Sequence, residues 1–559
     1  MSVPSLAPTI VPVDGSTARH GSGPRPSRLA VVAGGLLLAV VAGALFFQDL
    51  GRYPLLDLDE ARAAEVAREM AAGRGLARFL LPTLDLEPYR EKPAPYYWLV
   101  ALAYRMWGVG EWSARVVSAT AALAGVLALY AYASRRGVAA GLAAGLIAAT
   151  TAGWYTLARY GTLDMLLTAF VVTGVLAGFA WLERPAPRRP ALAPWIAAAL
   201  GALVKGPIAF LLVGGPLVLA ALVAHPRPTL REAGVARGAL IAAAIVAALW
   251  VPVAVFDPAY VTHFAYSHVR RLGAQSPHAA PVWYYAVWLP ILALPWTIVA
   301  APAVVRAARE PANRSTLLWL GFVPALLTIP HGKLATYALS ALAPFALLAG
   351  PALVAPTAEA TREDSGALRA IGWLTAAILG GSTVAVWALA RRYPLSLAAR
   401  ALFTAVAGAW AVGVVLLLRR RRARLLPLAV LGAALTLYPL AVRFVLPPIA
   451  ALHSGREEAR LIAAASAGPV PVFVFGRRVP SLVFYLRSPV TRTDDLDLVR
   501  DLFARDAPVF LLTTRRHFGE VEDTLGDRAH RWHSNGRRRL YANRPPPAPA
   551  QPRAGKGST

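Results

Sequence analysis

Long apolar runs recur along most of the chain, each of roughly 17 to 25 residues, the length a helix needs to cross a bilayer. They lie near 29–48, 113–133, 138–155, 163–182, 191–204, 207–223, 238–256, 281–305, 315–330, 334–354, 370–390, 398–418 and 425–444, predicting a polytopic α-helical membrane protein of about thirteen transmembrane helices. The first run, Leu29 to Phe47, follows Arg19, Arg25 and Arg28 but lacks a clear small-residue cleavage site, so it reads as a retained helix and not a signal peptide.

The polar breaks alternate in character. Five are strongly basic: "SRRG" at 134–137, "ERPAPRRP" at 183–190, "HPRPTLREAGVARG" at 225–238, "RAAREPANR" at 306–314 and "RRRRAR" at 419–424. An excess of arginine in short loops marks the cytoplasmic side, which places the amino terminus inside. The other breaks then face outward: 49–112, the connections near Arg159 and Lys205, 257–278, "HGK" at 331–333, 391–397 and everything after about residue 446. In a bacterium this means the inner membrane with a periplasmic carboxyl end.

The final stretch changes pattern. A helical "REEARLIAAA", strand-like "PVPVFVFG" and "APVFLLTT", and a helix near 495–505 predict a small α/β domain. The expected organisation is a disordered 1–28, a transmembrane unit 29–446 whose loop 49–112 carries interfacial helices, a periplasmic α/β domain 447–544, and a Pro-rich disordered tail 545–559.

Composition sharpens this picture. Hydrophobic residues make up 57% of the 559 and charged ones 16%, and mean hydropathy is +0.50. A net charge of +27 in a soluble chain suggests nucleic acid, but these arginines sit between apolar runs, where they set topology and meet anionic head groups. Membrane lipid is therefore the expected partner and nucleic acid is not. Cysteine is absent, which excludes disulfides, thiolate catalysis and Cys-ligated metal, leaving His and carboxylates for any ion.

The candidate chemistry lies on the outward side. The segment 49–112 carries Asp57, Asp59, Glu60, Glu65, Glu69, Asp85, Glu87, Glu91 and Glu111. Between Trp112 and Pro356 only five acids follow, and Asp164, at the outer end of a span, is the most unusual of them. Single cations mark other span ends: Arg159, Lys205 in "ALVKGPIAFLL", Arg270 and Arg271 in "HVRRLG", and Lys333 in "HGKLATYALS". Cations gathered near one leaflet beside carboxylates suit a lipid-linked phosphate held next to a general base.

Plainer readings compete. The spacing of Ala61, Ala64, Val66, Ala67 and Met70 predicts a helix lying on the interface, with Glu65, Arg68 and Glu69 as its wet, paired face. Asp59 at the helix start could serve as a cap, and Arg270 and Arg271 could reach lipid head groups. His268 and His331 stand alone in sequence, and no HExxH, P-loop, Rossmann or nucleophile-elbow pattern is present.

Taken in order, "LDLDEARAAEVAREM", "EPYREKPAPYYWLVALAYRMWGVGEWSARVVSA", "ARYGTLDMLL", "LVKGPIAFLL", "HVRRLG" and "HGKLATYALSALAPFALLAG" resemble the bacterial aminoarabinose transferases of lipid A and the protein O-mannosyltransferases, which are C-type membrane glycosyltransferases. The resemblance implies inverting transfer of a sugar from a polyprenyl phosphate, usually undecaprenyl phosphate, to a lipid, glycan or protein acceptor. Asp59 then resembles the general base. Arg62, Lys92, Lys205 and Arg270 resemble the phosphate-contacting cations, with Arg271 able to take Arg270's place and Lys333 a further candidate. Tyr337 resembles a supporting tyrosine, and Glu91 and Asp164 resemble acids of the same cavity. No cofactor is required; a divalent metal at Glu91, with His268 as the nearest partner, is left open. The chain departs from the pattern at Ala63 and Ser340, where relatives often carry an aromatic residue and a proline. A transporter or flippase of lipid-linked sugars is the alternative from another class, and an O-antigen-type ligase is a third reading.

Overall fold

A computed structural model describes residues 27–546 except 271, 274–275, 277, 355–363 and 467. The expected disorder of both termini and the candidate Arg271 therefore lie outside the described residues. Eight helices among those described are long and apolar enough to cross a membrane. A ninth crossing is possible if Val138–Thr150 and Ala152–Ala158, bent by 69° at their junction, count as one.

This does not confirm the thirteen expected, because several of the apolar runs form shorter or broken helices. The run at 281–305 is divided into Tyr284–Leu292, Trp296–Val299 and Ala301–Arg309 around Pro290, Pro295 and Pro302. The runs at 191–204 and 207–223 form helices of only 13 and 16 residues, separated at Gly206 and Pro207. Hydropathy registers the 281–305 run as continuous, whereas a proline lacks the N–H and clashes with the preceding turn.

Nine helices position the site: α1 (Arg28–Phe47), α2 (Asp59–Ala72), α3 (Pro95–Trp107), α4 (Glu111–Ala133), α5 (Leu163–Leu182), α6 (Ala193–Lys205), α7 (Ile208–Val223), α8 (Val235–Phe256) and α9 (Pro258–Arg270). At the start of α1 the Ser27 hydroxyl accepts from Ala30 N at 3.2 Å. Its far end is closed by a residue distant in sequence: Arg159 Nη1 donates to Leu45 O and Phe46 O, each at 2.9 Å. A cation that satisfies the last carbonyls of a helix also favours its negative end. The lone Arg159 thus has a structural role.

The helix α2 departs from the expected interfacial element. Ala61, Ala64, Val66, Ala67 and Met70 are buried, as their spacing suggests, but Glu65 is fully buried and Glu69 nearly so. Tyr96, Tyr97, Val100 and Tyr104 of α3 cover one side and Phe484 of the helix Pro480–Leu486 another. Both faces are therefore inside. Arg68 forks onto Glu65 at 2.8 and 2.5 Å, so the expected pairing exists in a dry setting. Burial pushes the Glu65 carboxyl above its ordinary range despite that arginine.

Before α3 a two-residue hairpin pairs β1 (Thr83–Leu84) with β2 (Glu87–Pro88). The carboxyl-terminal region forms a five-stranded mixed sheet from β3 (Val472–Phe475), β4 (Thr491–Thr493), β5 (Phe510–Thr514), β6 (His530–Ser534) and β7 (Arg538–Ala542), in the order β4-β3-β5-β7-β6. The parallel strands β4, β3 and β5 are joined through helices; β7 runs antiparallel to β5, and β6 to β7. Alternation along β3 sends Val472 and Val474 to one face, against Ile462 and Leu482, and Phe475 to the other, against Val499 and Val521.

The sheet region is fastened to the start of the 49–112 segment. The Asp57 carboxylate accepts from Ser481 N at 2.9 Å, Ser481 Oγ at 2.8 Å and Arg538 Nη1 at 3.1 Å. The Tyr485 hydroxyl accepts from Leu55 N at 2.8 Å and donates to Glu111 Oε1 at 3.0 Å.

Candidate active site

Three adjoining cavities run from the helical core to the sheet region. The first is an apolar groove of about 560 Å3, lined by Leu167 and Val171 of α5, Leu211 and Leu212 of α7, Leu272 and Leu327. The second is a polar chamber of about 410 Å3 that shares Asp164, Lys205 and Tyr337 with the groove. The third is a vestibule of about 880 Å3 that shares Arg62, Tyr89, Glu91 and His263 with the chamber.

The first junction is built from two helix ends. Asp164 lies in the first turn of α5 and Lys205 is the last residue of α6, so each charge complements its helix dipole. Gly206 stops α6 with φ +93°, a conformation that suits glycine. Lys205 Nζ forms an ion pair with Asp164 Oδ1 and sits 4.1 Å from the centre of the Tyr337 ring. Both charged side chains are largely buried, at 11% and 16% exposure, yet they border the groove and the chamber.

The chamber gathers most of the expected residues. Asp59, Arg62, Glu91, Lys92, Asp164, Lys205, Arg270 and Tyr337 all line it. Asp59 opens α2, but Leu58 holds the cap position and no side chain caps the helix there, so capping does not account for Asp59. Its carboxylate is 62% exposed and 3.7 Å from Arg62 Nη1, which is also 3.7 Å from Glu91 Oε2. These contacts are longer than hydrogen bonds. They leave both carboxylates open to the chamber. Burial works against the Arg62 charge, but Tyr89, Asp59 and Glu91 outweigh it and hold the guanidinium above its ordinary value. Burial pushes the Tyr89 hydroxyl up to about 12, so it stays a neutral donor.

Glu60, the next residue, points the other way. Its carboxylate accepts from Arg115 Nε and Nη2 at 2.7 and 2.8 Å, Gly161 N at 2.9 Å and Leu56 N at 2.9 Å. Arg115 spends its remaining donors on Leu50 O, Tyr53 O and Pro54 O at 2.9 to 3.1 Å. Both side chains are fully buried. This pair braces the α2 entrance from behind.

Some expected residues lie elsewhere. Lys333 is buried outside the three cavities, its amine donating to Pro330 O at 2.7 Å and Ala280 O at 3.0 Å, so it ties a bend and lines none of them. His268 lines the groove, whereas Glu91 lines the chamber and vestibule. The His268 Nδ1 contacts Phe264 O at 2.8 Å, and its ring lies 4.3 Å from that of Phe264. The two do not fit a shared metal site. Among the described residues no three His, Asp or Glu side chains gather in a metal-holding group.

Other lining residues escaped the sequence reading. His263, Tyr266 and Ser267 share one face of α9 with the expected Arg270, at spacings of three, four and seven from His263, and all line the chamber. That periodicity was present in "HFAYSHVR", but only the packing of α9 tells which face is inward. Tyr89 and His278 join from flanking loops.

Residues 91–251 match the family described as dolichyl-phosphate-mannose-protein mannosyltransferase. The undecaprenyl phosphate-α-4-amino-4-deoxy-L-arabinose arabinosyl transferase of Pseudomonas paraeruginosa is 31% identical over 367 residues, 63% of this chain and 64% of that protein. The enzyme of the same name from Aeromonas salmonicida is 29% identical over 344 residues, 58% of this chain and 60% of its own length. These matches span less than two thirds of either relative. The crystal structure of ArnT from Cupriavidus metallidurans bound to undecaprenyl phosphate shares the fold, with a TM-score of 0.72 at 22% identity over 91% of this chain and 97% of that one. The chain is a multi-pass membrane protein that is similar in sequence to the aminoarabinose transferases and, over residues 91–251, to the protein O-mannosyltransferase family, and it shares the fold of ArnT.

Proposed function

We propose that this protein transfers a sugar, with inversion, from a polyprenyl phosphate of the undecaprenyl type to an acceptor at the outer face of the bacterial inner membrane. One observation carries the reading: an apolar groove meets a polar chamber at Lys205, with Asp164 and Tyr337 beside it. A lipid phosphate has the same division between apolar chain and charged head. The relatives' names refer to undecaprenyl phosphate, and the fold neighbour was crystallised with it. In this reading the amino terminus is cytoplasmic and the sheet region periplasmic, as the arginine distribution implies.

The prenyl chain occupies the groove, where Leu211, Val269 and Leu272 are more than half exposed. Its phosphate is held by Lys205 and Arg270, with Arg62 and Lys92 across the chamber. Asp164 orients the Lys205 amine. The sugar then lies in the chamber within reach of Asp59. An acceptor hydroxyl attacks the anomeric carbon from the side opposite the phosphate and gives its proton to the Asp59 carboxylate. The bond from the anomeric carbon to the phosphate oxygen breaks, leaving polyprenyl phosphate. Inversion follows from the single displacement. A positioned base contributes on the order of 10²- to 10⁴-fold, and the cations stabilise charge growing on the leaving oxygen.

The experiment is transfer of labelled sugar from a panel of undecaprenyl-phosphate sugars to a membrane extract by the purified protein. Donor-dependent labelling of one acceptor class supports the reading. Movement of intact sugar-lipid across proteoliposomes without transfer supports the transport reading instead.

A further inference from the structure

A fourth cavity lies away from the candidate active site, at the end of the helical core that carries the basic loops. It is an apolar cleft of about 410 Å3 between the end of α5, the start of α6 and the length of α7. Phe210, Val213, Gly214, Leu217, Val218 and Leu222 line it at the three- and four-residue spacing of one helix face. From Phe210 to Leu222 the cleft follows α7 for about 18 Å, close to the roughly 15 Å of one leaflet's hydrocarbon. Val218 and Leu222 are more than half exposed, and a Cβ added at Gly214 would meet nothing within 4 Å. The cleft therefore has room for a chain and an open side. α6 ends at Lys205 and α7 begins with Ile208 beside the donor groove, so cleft and chamber sit at opposite ends of this helix pair.

Two tryptophans mark where the cleft meets water. Trp181 Nε1 donates to Arg189 O at 2.8 Å and Trp195 Nε1 to Ala233 O at 3.2 Å, and both residues line the cleft. Indoles with an apolar body and an N–H turned to a polar loop suit the head-group level. Charge at that level has one dominant sign. Arg184, Arg189, Arg227 and Arg231 are exposed, and among the described residues none of the four has an acid within ion-pair distance. The acids of the same loops are engaged: Glu183 with Arg135 and Tyr132, and Glu232 with Arg188 N at 2.8 Å and Thr229 N at 2.9 Å. Arg227 lines the cleft itself. Arg188 is buried beside the Trp181 ring, its Nε donating to Arg184 O at 3.1 Å and its Nη2 to Leu182 O at 3.2 Å. Its Nη1 is buried with no partner among the described residues. An unmet buried donor is costly, and a phosphate oxygen would satisfy it.

We propose that this cleft binds one anionic phospholipid from the leaflet on the basic-loop side, with an acyl chain along α7 and its phosphodiester at Arg227, Arg231 and Arg188. Charge complementarity at the mouth and a length of one leaflet select a phospholipid over the far end of a prenyl chain, which carries no charge. The site goes beyond the glycosyl-transfer reading and does not rest on it. Phe210 lines both this cleft and the donor groove, so the two lipids share one wall.

The test is native mass spectrometry of the full-length protein, stripped of lipid in detergent and titrated with dioleoyl phosphatidylglycerol, dioleoyl phosphatidylcholine or undecaprenyl phosphate. One phosphatidylglycerol should be held about tenfold more tightly than phosphatidylcholine, the scale of two basic residues near a lipid head group. Arg227→Ala/Arg231→Ala should lose that preference, and Arg227→Lys/Arg231→Lys should keep most of it. Arg419→Ala/Arg420→Ala, on a separate basic loop, should leave it within about twofold, because distant exposed charges are screened. Gly214→Leu fills the cleft and should weaken both phospholipids while leaving undecaprenyl phosphate binding and Tm as in wild type. Equal retention of the two phospholipids, or an equal loss in both double alanine variants, reduces the effect to general charge and overturns the proposal. Loss of undecaprenyl phosphate in Gly214→Leu, with phosphatidylglycerol unchanged, gives the cleft to the prenyl chain and overturns it too. If Gly214→Leu lowers Tm, the arginine variants decide, since all four positions are exposed.

Discussion

Two ion pairs serve opposite ends in this molecule. Glu60 and Arg115 are both fully buried, and every oxygen lone pair and guanidinium proton that matters has a partner. Lys205 and Asp164 are also largely buried, but they border two cavities, and the lysine has a ring beneath it in place of backbone carbonyls. The first pair is saturated. The second retains donor capacity facing a space the size of a ligand. A saturated buried charge pair holds geometry, while an unsaturated one at a cavity wall can still bind.

The largest effect should come from the saturated pair. Arg115→Met leaves the Glu60 carboxylate in the core with only two backbone donors, and breaking one side of a buried pair costs about 3–5 kcal/mol. Thermal unfolding in detergent should show a large fall in Tm. Replacing both, as Glu60→Leu/Arg115→Met, should recover only part, because Leu50, Tyr53 and Pro54 carbonyls lose their donor. Near wild-type stability in Arg115→Met would remove the distinction between the pairs.

The second pair should act on binding more than on folding. Lys205→Ala is expected to weaken undecaprenyl phosphate binding by about 10- to 100-fold, the scale of a hydrogen bond to a charged group, measured by titration in nanodiscs. Unchanged affinity would place the phosphate elsewhere.

A smaller loss is expected for Tyr337→Leu, which removes the ring under the Lys205 amine. Cation–π support of this kind corresponds to about a three- to tenfold change in the same titration. Last comes Arg443→Ala, which removes the half-exposed guanidinium paired with Asp49. Its cost should stay below about 1 kcal/mol in thermal unfolding, and a larger loss would show that exposure does not separate weak pairs from strong ones here.

Much of the candidate site's lining was legible because charge is conspicuous in apolar sequence. Lys205 and Asp164 stood out for that reason, and they meet in the fold. Arg159 and Lys333 stood out equally, yet each satisfies carbonyls, at the end of α1 and at a bend near Pro330. Conspicuousness marks a charge that needs a partner and does not say whether the partner is ligand or backbone. Asp59 and Glu60 show a second limit. They are neighbours in sequence, but about 100° of helix turn separates them, and only the packing of α2 against α3 and the helix Pro480–Leu486 turns Glu60 inward. His263 and Tyr266 were missed on the same ground, because their periodicity defines a face and not its direction. The helix count was least legible, since hydropathy is blind to the prolines that divide 281–305.

The central claim is that Asp59 is the base in a chamber whose cations hold the donor. The most direct measurement is single-turnover sugar transfer by Asp59→Asn, made alongside equilibrium binding of undecaprenyl phosphate to the same variant. The account predicts transfer slowed by about 10²- to 10⁴-fold with donor affinity close to wild type, since Asp59 is largely exposed and separate from the Lys205 junction. Transfer at the wild-type rate would contradict it.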